Sequence, residues 1–291
     1  MRFRVTHLTD YRYTAPVAEA HLELRLTPPT RESQRVEKHV VHLNPITEAS
    51  GYTDYFGNAT HVVSFPYRHS RLTIKSEAIV EVLSQALPKE ALEQSVQEVR
   101  QILSSTLPFT YDYLQPTGMV TIGREALQWA KRFLWGNVAL GPGLQALNHA
   151  IYEEFTYRQG ATEFSTDLST VWKRKTGVCQ DFAHAMLSVL RTAGVPARYV
   201  CGYIETEPPR AAANGRRRLV GSAATHAWVE ALVPGHVWVA LDPTNDCWCG
   251  EQHIAVSFGR DAREAAPVRG TFKSAGRQVL KVQVKVGRLK R

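Results

Sequence analysis

The chain has 291 residues, 44% of them hydrophobic and 21% charged, which excludes disorder and collagen and suffices for one large core or two smaller ones. No run of about 18 uncharged apolar residues occurs, and the opening MRFRVTHLTDYRY alternates instead of offering the apolar stretch of a secretory signal, so a cytoplasmic protein with no membrane association is expected. The net charge of +8 is local: residues 269–291 hold eight basic side chains and no acid, and the other 268 residues balance at 27 against 27, which argues against a nucleic-acid-binding body.

To about residue 85 the pattern is strand-like, clearest where Ala18, Ala20, Leu22, Leu24 and Leu26 alternate with Glu19, His21, Glu23 and Arg25. FGN at 56–58 supplies a turn between Tyr52–Tyr55 and His61–Phe65, and Leu72–Val82 is another β-rich run. A β-rich N-terminal domain over 1–85 is expected. After Pro88 the stretches KEALEQSVQEVRQIL, REALQWAKRFLW and GLQALNHAIYEEF are helical in period and propensity, so 86–156 reads as a helical opening to a second domain.

Residues 177–193 predict an amphipathic helix with Gly194 to stop it, and ARYVCGYI, THAWVEALV and HVWVALD predict strands, the last two joined by a Pro-Gly turn at 234–235. The fold class is therefore α+β, with the core over 157–250. Residues 251–291 are expected to supply C-terminal strands that complete the fold. Among them Leu280, Val282, Val284 and Val286 alternate with Lys281, Gln283 and Lys285, a strand whose lysines guard an exposed edge. Arg216–Arg218, in the polar stretch NGRRR, read as a solvated loop.

Cys179 lies in TGVCQDFAH at the first turn of its helix, where unpaired N–H groups and the macrodipole favour thiolate. A nucleophile there needs a base and an orienting acid. In the following hairpin Ala227, Val229 and Ala231 on one strand and Val237, Val239 and Leu241 on the other are all odd-numbered. Burying both rows on one face requires an even pairing sum. The other face then carries His226 and Asp242 together. A sum of 468 sets them directly opposite, at roughly 5 Å between Cβ atoms, close enough for the carboxylate to accept from the imidazole.

The stretches GVCQDFAHAMLSVLRTAGVPARYVCGYIE, ATHAWVEA and VALDPTND closely resemble the transglutaminase-like superfamily. More narrowly, the chain resembles bacterial members with an N-terminal β domain that are commonly labelled cysteine proteases. The resemblance extends to MRFRVTHLTDYRYTAPV and GEQHIAVSFGRDAREAAPVRGTF, with one departure at Ala262, where an aromatic residue would be expected. It implies a papain-like core with Cys179 as nucleophile, His226 as base and Asp242 as third member of a triad. The implied chemistry is acyl transfer from a peptide or protein amide through a thioester, with no cofactor and no metal. Hydrolysis is expected. Transamidation shares the same residues, and a non-catalytic peptide-binding scaffold is the alternative from another class.

The other candidates carry less. His184 is about 140° around the helix from Cys179, His236 sits by the turn, and Asp246 lies in a loop beyond Pro243. Cys247, Cys249 and His253 spell C-x-C-x3-H, which lacks the usual zinc spacing and a fourth ligand, and reduced structural thiols are expected there. The first oxyanion donor is the Cys179 backbone N–H. Trp135, Trp172 and Gln180 are candidates for the second.

Overall fold

Alternation in the first 82 residues produces β1 (Arg2–Val17), β2 (Glu19–Leu24), β3 (Gln34–Asn44), β4 (Ala49–Thr53), β5 (Ala59–Phe65) and β6 (His69–Val82). The computed structural model describes residues 1–105, 110–205, 219–221 and 224–289, so the arginine run at 216–218 lies outside the described residues. The helical section holds α1 (Lys89–Glu93), α2 (Val96–Ser104), α3 (Arg124–Phe133) and α4 (Leu140–Glu154). The stretch at 89–103 is thus two helices where its periodicity predicts one. Gln94 turns extended, with ψ 147°, and Ser95 starts α2 with a capping box: its hydroxyl accepts from Glu98 N–H at 3.2 Å while the Glu98 carboxylate accepts from Ser95 N–H at 2.8 Å.

The core follows with β7 (Thr156–Tyr157), α5 (Leu168–Arg174), β8 (Thr176–Gly177), α6 (Cys179–Thr192), β9 (Ala197–Ile204), β10 (His226–Val233), β11 (Val237–Asp242), β12 (Cys247–Trp248) and β13 (His253–Gly259). The chain ends through β14 (Val268–Lys273) and β15 (Gln278–Arg288). The architecture is mixed α+β, a β-rich N-terminal part before a core in which α6 packs on an antiparallel sheet ordered β12-β11-β10-β9-β13. The residues 251–291 are shared between the two parts: β13 closes one edge of the core sheet, while β14 pairs with β2 and β15 with β1.

Two four-stranded sheets, β15-β1-β6-β3 and β14-β2-β5-β4, enclose a core of Val17, Leu22, Leu24, Val63, Phe65, Leu72 and Ile74. A second apolar cluster joins the parts, with Phe3, Val5, Val80 and Val286 from the N-terminal sheet packed with Tyr203, Ile254 and Val256 from the core sheet. Each such side chain, fully buried, contributes about 1.5–3 kcal/mol. Polar groups fix the same junction. Gln34 exchanges two hydrogen bonds with the backbone of Ala255, both 2.9 Å, and Asn58 two with Phe258, both 2.8 Å, so two side-chain amides cover the outer edge of β13. Among the described residues no helix is long and apolar enough to cross a membrane.

On the outer strand β15, Val284 and Val286 are buried while Lys281 and Lys285 are exposed. Replacing both lysines by valine is expected to leave the thermal midpoint nearly unchanged and to shift the protein into higher-mass species on size exclusion. An unchanged elution would remove the edge-guarding role. In low-salt filter binding, the unmodified protein is expected to retain no DNA with a steep salt dependence.

Candidate active site

Cys179 is the first residue of α6. The preceding Val178 is extended, and its N–H donates to the Asp181 carboxylate at 2.8 Å, which also accepts from the Thr162 hydroxyl at 2.6 Å. Burial pushes the Asp181 carboxyl up, partly offset by these two donors. Gly177 is required by this packing, since a Cβ there would run into the Asp181 side chain. Cys179 itself is half-buried, and the N–H groups of Cys179 and Gln180 belong to the turn that has no helical carbonyl to bond.

The hairpin differs in detail from the expected register. Val229 faces Leu241 and Val233 faces Val237, a pairing sum of 470 (229 and 241) instead of 468. The reason is the loop: three residues, Pro234 to His236, connect the strands, with Gly235 and His236 at φ 84° and 60°. The sum stays even, so Ala227, Val229, Val239 and Leu241 bury one face and His226 and Asp242 share the other. Asp242 stands diagonally from His226, not opposite it, and the reach is still sufficient. His226 Nε2 donates to Asp242 Oδ2 at 2.8 Å, and both side chains are wholly buried.

Asp242 is the most heavily coordinated group of the site. Oδ2 also accepts from Asn245 Nδ2 at 2.7 Å and His253 Nε2 at 3.1 Å, and Oδ1 accepts the backbone N–H groups of Thr244 at 2.9 Å and Asn245 at 3.2 Å. Burial opposes ionisation, but the charge of His226 and the hydrogen bonds from His226 and His253 outweigh it and hold the carboxyl far below its usual range. Burial likewise opposes the imidazolium of His226, and the Asp242 charge outweighs it and raises the ring's pKa, with Cys179 adding to the rise. Since Nε2 is taken by Asp242 and, among the described residues, Nδ1 has no other hydrogen-bond partner, Nδ1 is the nitrogen left for Cys179.

Three residues here escape a reading of the sequence alone. Asn245 ties Asp242 to the segment over the histidine, accepting from Val220 N–H at 2.7 Å and donating to its carbonyl at 3.2 Å. The Asp-Pro-Thr-Asn order is the signal that could have found it, because an aspartate commonly accepts backbone N–H groups two and three residues on. Gly221, at φ 100°, lies so close that a Cβ would sit 2.7 Å from His226 Nδ1. Tyr157, pushed up first by burial and then by Cys179, has its hydroxyl 3.7 Å from that same Cβ position.

The remaining candidates find other partners. His184 is buried, accepts from Ala262 N–H at 3.1 Å and is lowered by burial to about 4, so it is neutral at pH 7. His236 is exposed in the turn, and Asp246 accepts from His149 Nδ1 at 2.8 Å. Trp172 is packed against Trp129 and Phe155, Trp135 is exposed beside Lys131, and the Gln180 amide donates to the Phe164 carbonyl at 3.1 Å. Burial pushes the Cys201 thiol up to about 12, and it also raises Cys249, which is part-exposed as a residue, with the Asp242 charge adding to it.

Among the described residues, the trio whose ligand atoms lie within 4.8 Å of one another is Asp242, Cys247 and His253, in place of the Cys247, Cys249 and His253 of the sequence pattern. His253 Nδ1 accepts from Gly250 N–H at 3.3 Å, which places the ring proton on Nε2 facing Asp242. A cation there would require His253 to surrender that proton.

A helix-borne cysteine before an antiparallel sheet is the arrangement a transglutaminase-like core requires, and the chemistry of that family is thiol-dependent acyl transfer. The chain belongs to the transglutaminase-like superfamily: that family's profile matches residues 128–243, and the bacterial transglutaminase-like N-terminal region matches residues 3–81. An uncharacterized protein of Mycobacterium tuberculosis is 34% identical over 98% of this chain and 92% of its own length. A protein-glutamine gamma-glutamyltransferase of Pseudomonas aeruginosa is 38% identical over 101 residues, 35% of this chain and 14% of that one. A candidate cysteine protease from Cytophaga hutchinsonii has the same fold, with a TM-score of 0.75 at 20% identity over 100% of this chain and 91% of its own.

The opposite shifts of the buried pair set a pH window. The downward shift of Asp242 stabilises the fold above its unfolded pKa of about 4 and is lost as pH falls through the folded value. The upward shift of His226 acts fully below about pH 6.5 and is lost as pH rises through the raised value. Asp242→Asn is expected to cost most between those limits, about 3–5 kcal/mol, and less on either side, read by denaturant unfolding across pH. A cost independent of pH would contradict the coupling. Gly221→Ala is expected to slow alkylation of Cys179 severalfold by crowding His226 Nδ1.

Proposed function

We propose that this protein is an amide hydrolase acting on peptides through the triad Cys179, His226 and Asp242. The observation that carries this reading is the buried His226–Asp242 hydrogen bond, which leaves Nδ1 of the ring for a cysteine at a helix N-terminus. In the first half of the reaction the Cys179 proton passes to His226 Nδ1 and sulphur attacks the amide carbonyl. The oxyanion draws on the Cys179 N–H and the positive end of α6. His226 then returns its proton to the leaving nitrogen, the C–N bond breaks and a thioester remains. Water, deprotonated by His226, attacks the thioester, which releases a carboxylate and restores the thiol. Asp242 keeps the imidazole in the tautomer and orientation these transfers need.

Transamidation is the second reading, in which a primary amine replaces water, and the similarity to a glutamyltransferase favours it. Hydrolysis is preferred because, among the described residues, the cavity walled by Gln180 and Thr225 holds no carboxylate that would bind a lysine-like ammonium.

The expected outcome with a library of peptides and glutamine donors is product formation that Cys179→Ala abolishes and that added primary amine diverts only to a minor extent, measured by mass spectrometry. Asp242→Asn is expected to lower kcat by about 10⁴, by analogy with loss of the orienting carboxylate in other triads. Amine incorporation exceeding hydrolysis would make the protein a transamidase, and no Cys179-dependent product would favour a binding scaffold. Of the four thiols, Cys179 is expected to react first with iodoacetamide.

A further inference from the structure

Tyr199 and Cys201, which both feel the Cys179 charge, help to wall a cavity of about 260 Å³ beside the elements that carry the cysteine and histidine. Two of its lining residues are their chain neighbours: Gln180 follows Cys179, and Thr225 precedes His226. The N-terminal sheet supplies other parts of the wall, through Tyr11 on β1 and Leu280 and Val282 on β15. The cavity therefore exists only where both parts of the chain meet.

Its chemistry is uncharged. Among the described residues the lining has no aspartate, glutamate, lysine or arginine. Its one histidine, His7, is bonded at Nδ1 to the Tyr203 hydroxyl at 2.7 Å and at Nε2 to Thr9 at 3.0 Å, and burial lowers it to about 4. An ammonium or carboxylate entering here would lose its hydration without gaining a counter-charge. Phe164 and Leu280, 52% and 49% exposed, offer an incoming chain apolar surface at the rim. An apolar cavity of about 150 Å³ already holds benzene, so this one has room for a phenyl ring or a leucine side chain.

We propose that this cavity selects the acyl donor, seating an apolar side chain, aromatic or large aliphatic, of the residue whose carbonyl Cys179 attacks. The inference rests on the acyl-transfer reading above and adds the substrate class to it. Such a side chain would stay seated while the acyl group is held as a thioester, keeping the carbonyl aligned for water.

The test uses peptidyl chloromethyl ketones that differ only in the side chain next to the ketone: phenylalanine, leucine, glutamate or lysine. Each alkylates Cys179 by forming a carbon–sulphur bond and releasing chloride, so no turnover is needed. Labelling of Cys179 is followed by mass spectrometry and expressed relative to iodoacetamide on the same protein. The phenylalanine and leucine reagents are expected to react at least about tenfold faster than the charged pair. Ala262→Phe, which places a ring in the cavity, is expected to erase that preference. Leu280→Lys, a change at an exposed position that leaves the core intact, is expected to shift preference toward the glutamate reagent.

Equal rates for all four reagents, or a preference unmoved by both variants, would overturn the pocket. Fast phenylalanine labelling without hydrolysis of the matching peptide would leave the pocket standing and overturn the hydrolase reading. Hydrolysis with no side-chain preference would do the reverse.

Discussion

A carboxylate with no exposed surface is stable in a folded protein only if every lone pair is answered, and Asp242 imposes that requirement on the whole site. Its five donors come from β10, from the turn after β11 and from β13. Meeting them fixes the ring of His226, the conformation of the turn at 244–245 and the position of His253. Asn245 carries the constraint one step further, to Val220 and so to the segment bearing Gly221 beside the imidazole. The geometry around Cys179 is thus a consequence of satisfying one buried charge.

The N-terminal part of the chain contributes to this geometry without touching Cys179. Gln34 and Asn58 hold the outer edge of β13, the strand that begins with His253, and His7 bonds Tyr203 on β9. Arg31 crosses the junction to Glu230 on β10 at 2.7 Å, and Arg198 closes the same buried carboxylate from β9 at 2.6 Å. Burial opposes ionisation of Glu230, and the two arginines keep it ionised. A pair of this kind stabilises little relative to an apolar substitute, but losing one partner costs about 3–5 kcal/mol. Its effect is to tie the segment before β3 to β9 and β10 across the junction. The same junction shapes the cavity, because part of its wall is β1 and β15 and part is Gln180 on α6 and Thr225 just before β10.

Much of this was legible in the residues alone. Local periodicity and turn chemistry act over a few positions, so the β character of 1–82, a helix carrying Cys179 in its first turn, its stop at Gly194 and the hairpin were readable, whereas the strand Gln34–Asn44 and the start of that helix at Cys179 instead of 177 were not. Parity did more: burying two odd-numbered apolar rows on one face requires an even pairing sum, and any even sum puts His226 and Asp242 together on the other. The sum itself was not readable, because 468 and 470 bury the same residues and only the conformation of Pro234, Gly235 and His236 decides between them.

Contacts between distant segments belonged to the tertiary structure. His253 carries no sequence mark tying it to Asp242, since β13 reaches the sheet through β9, on the far side from β11. Nor does the alternation in β15 say that β1 is its partner, or that Leu280 and Val282 will line a cavity with Gln180 and Thr225. Side-chain type, spacing and period are local quantities, and they determined that Cys179 lies near a helix N-terminus and that His226 and Asp242 stand on one face of the hairpin. Packing is a property of the whole chain, and it alone decided which faces meet, which charges are buried and which residues line the cavity where the two parts join.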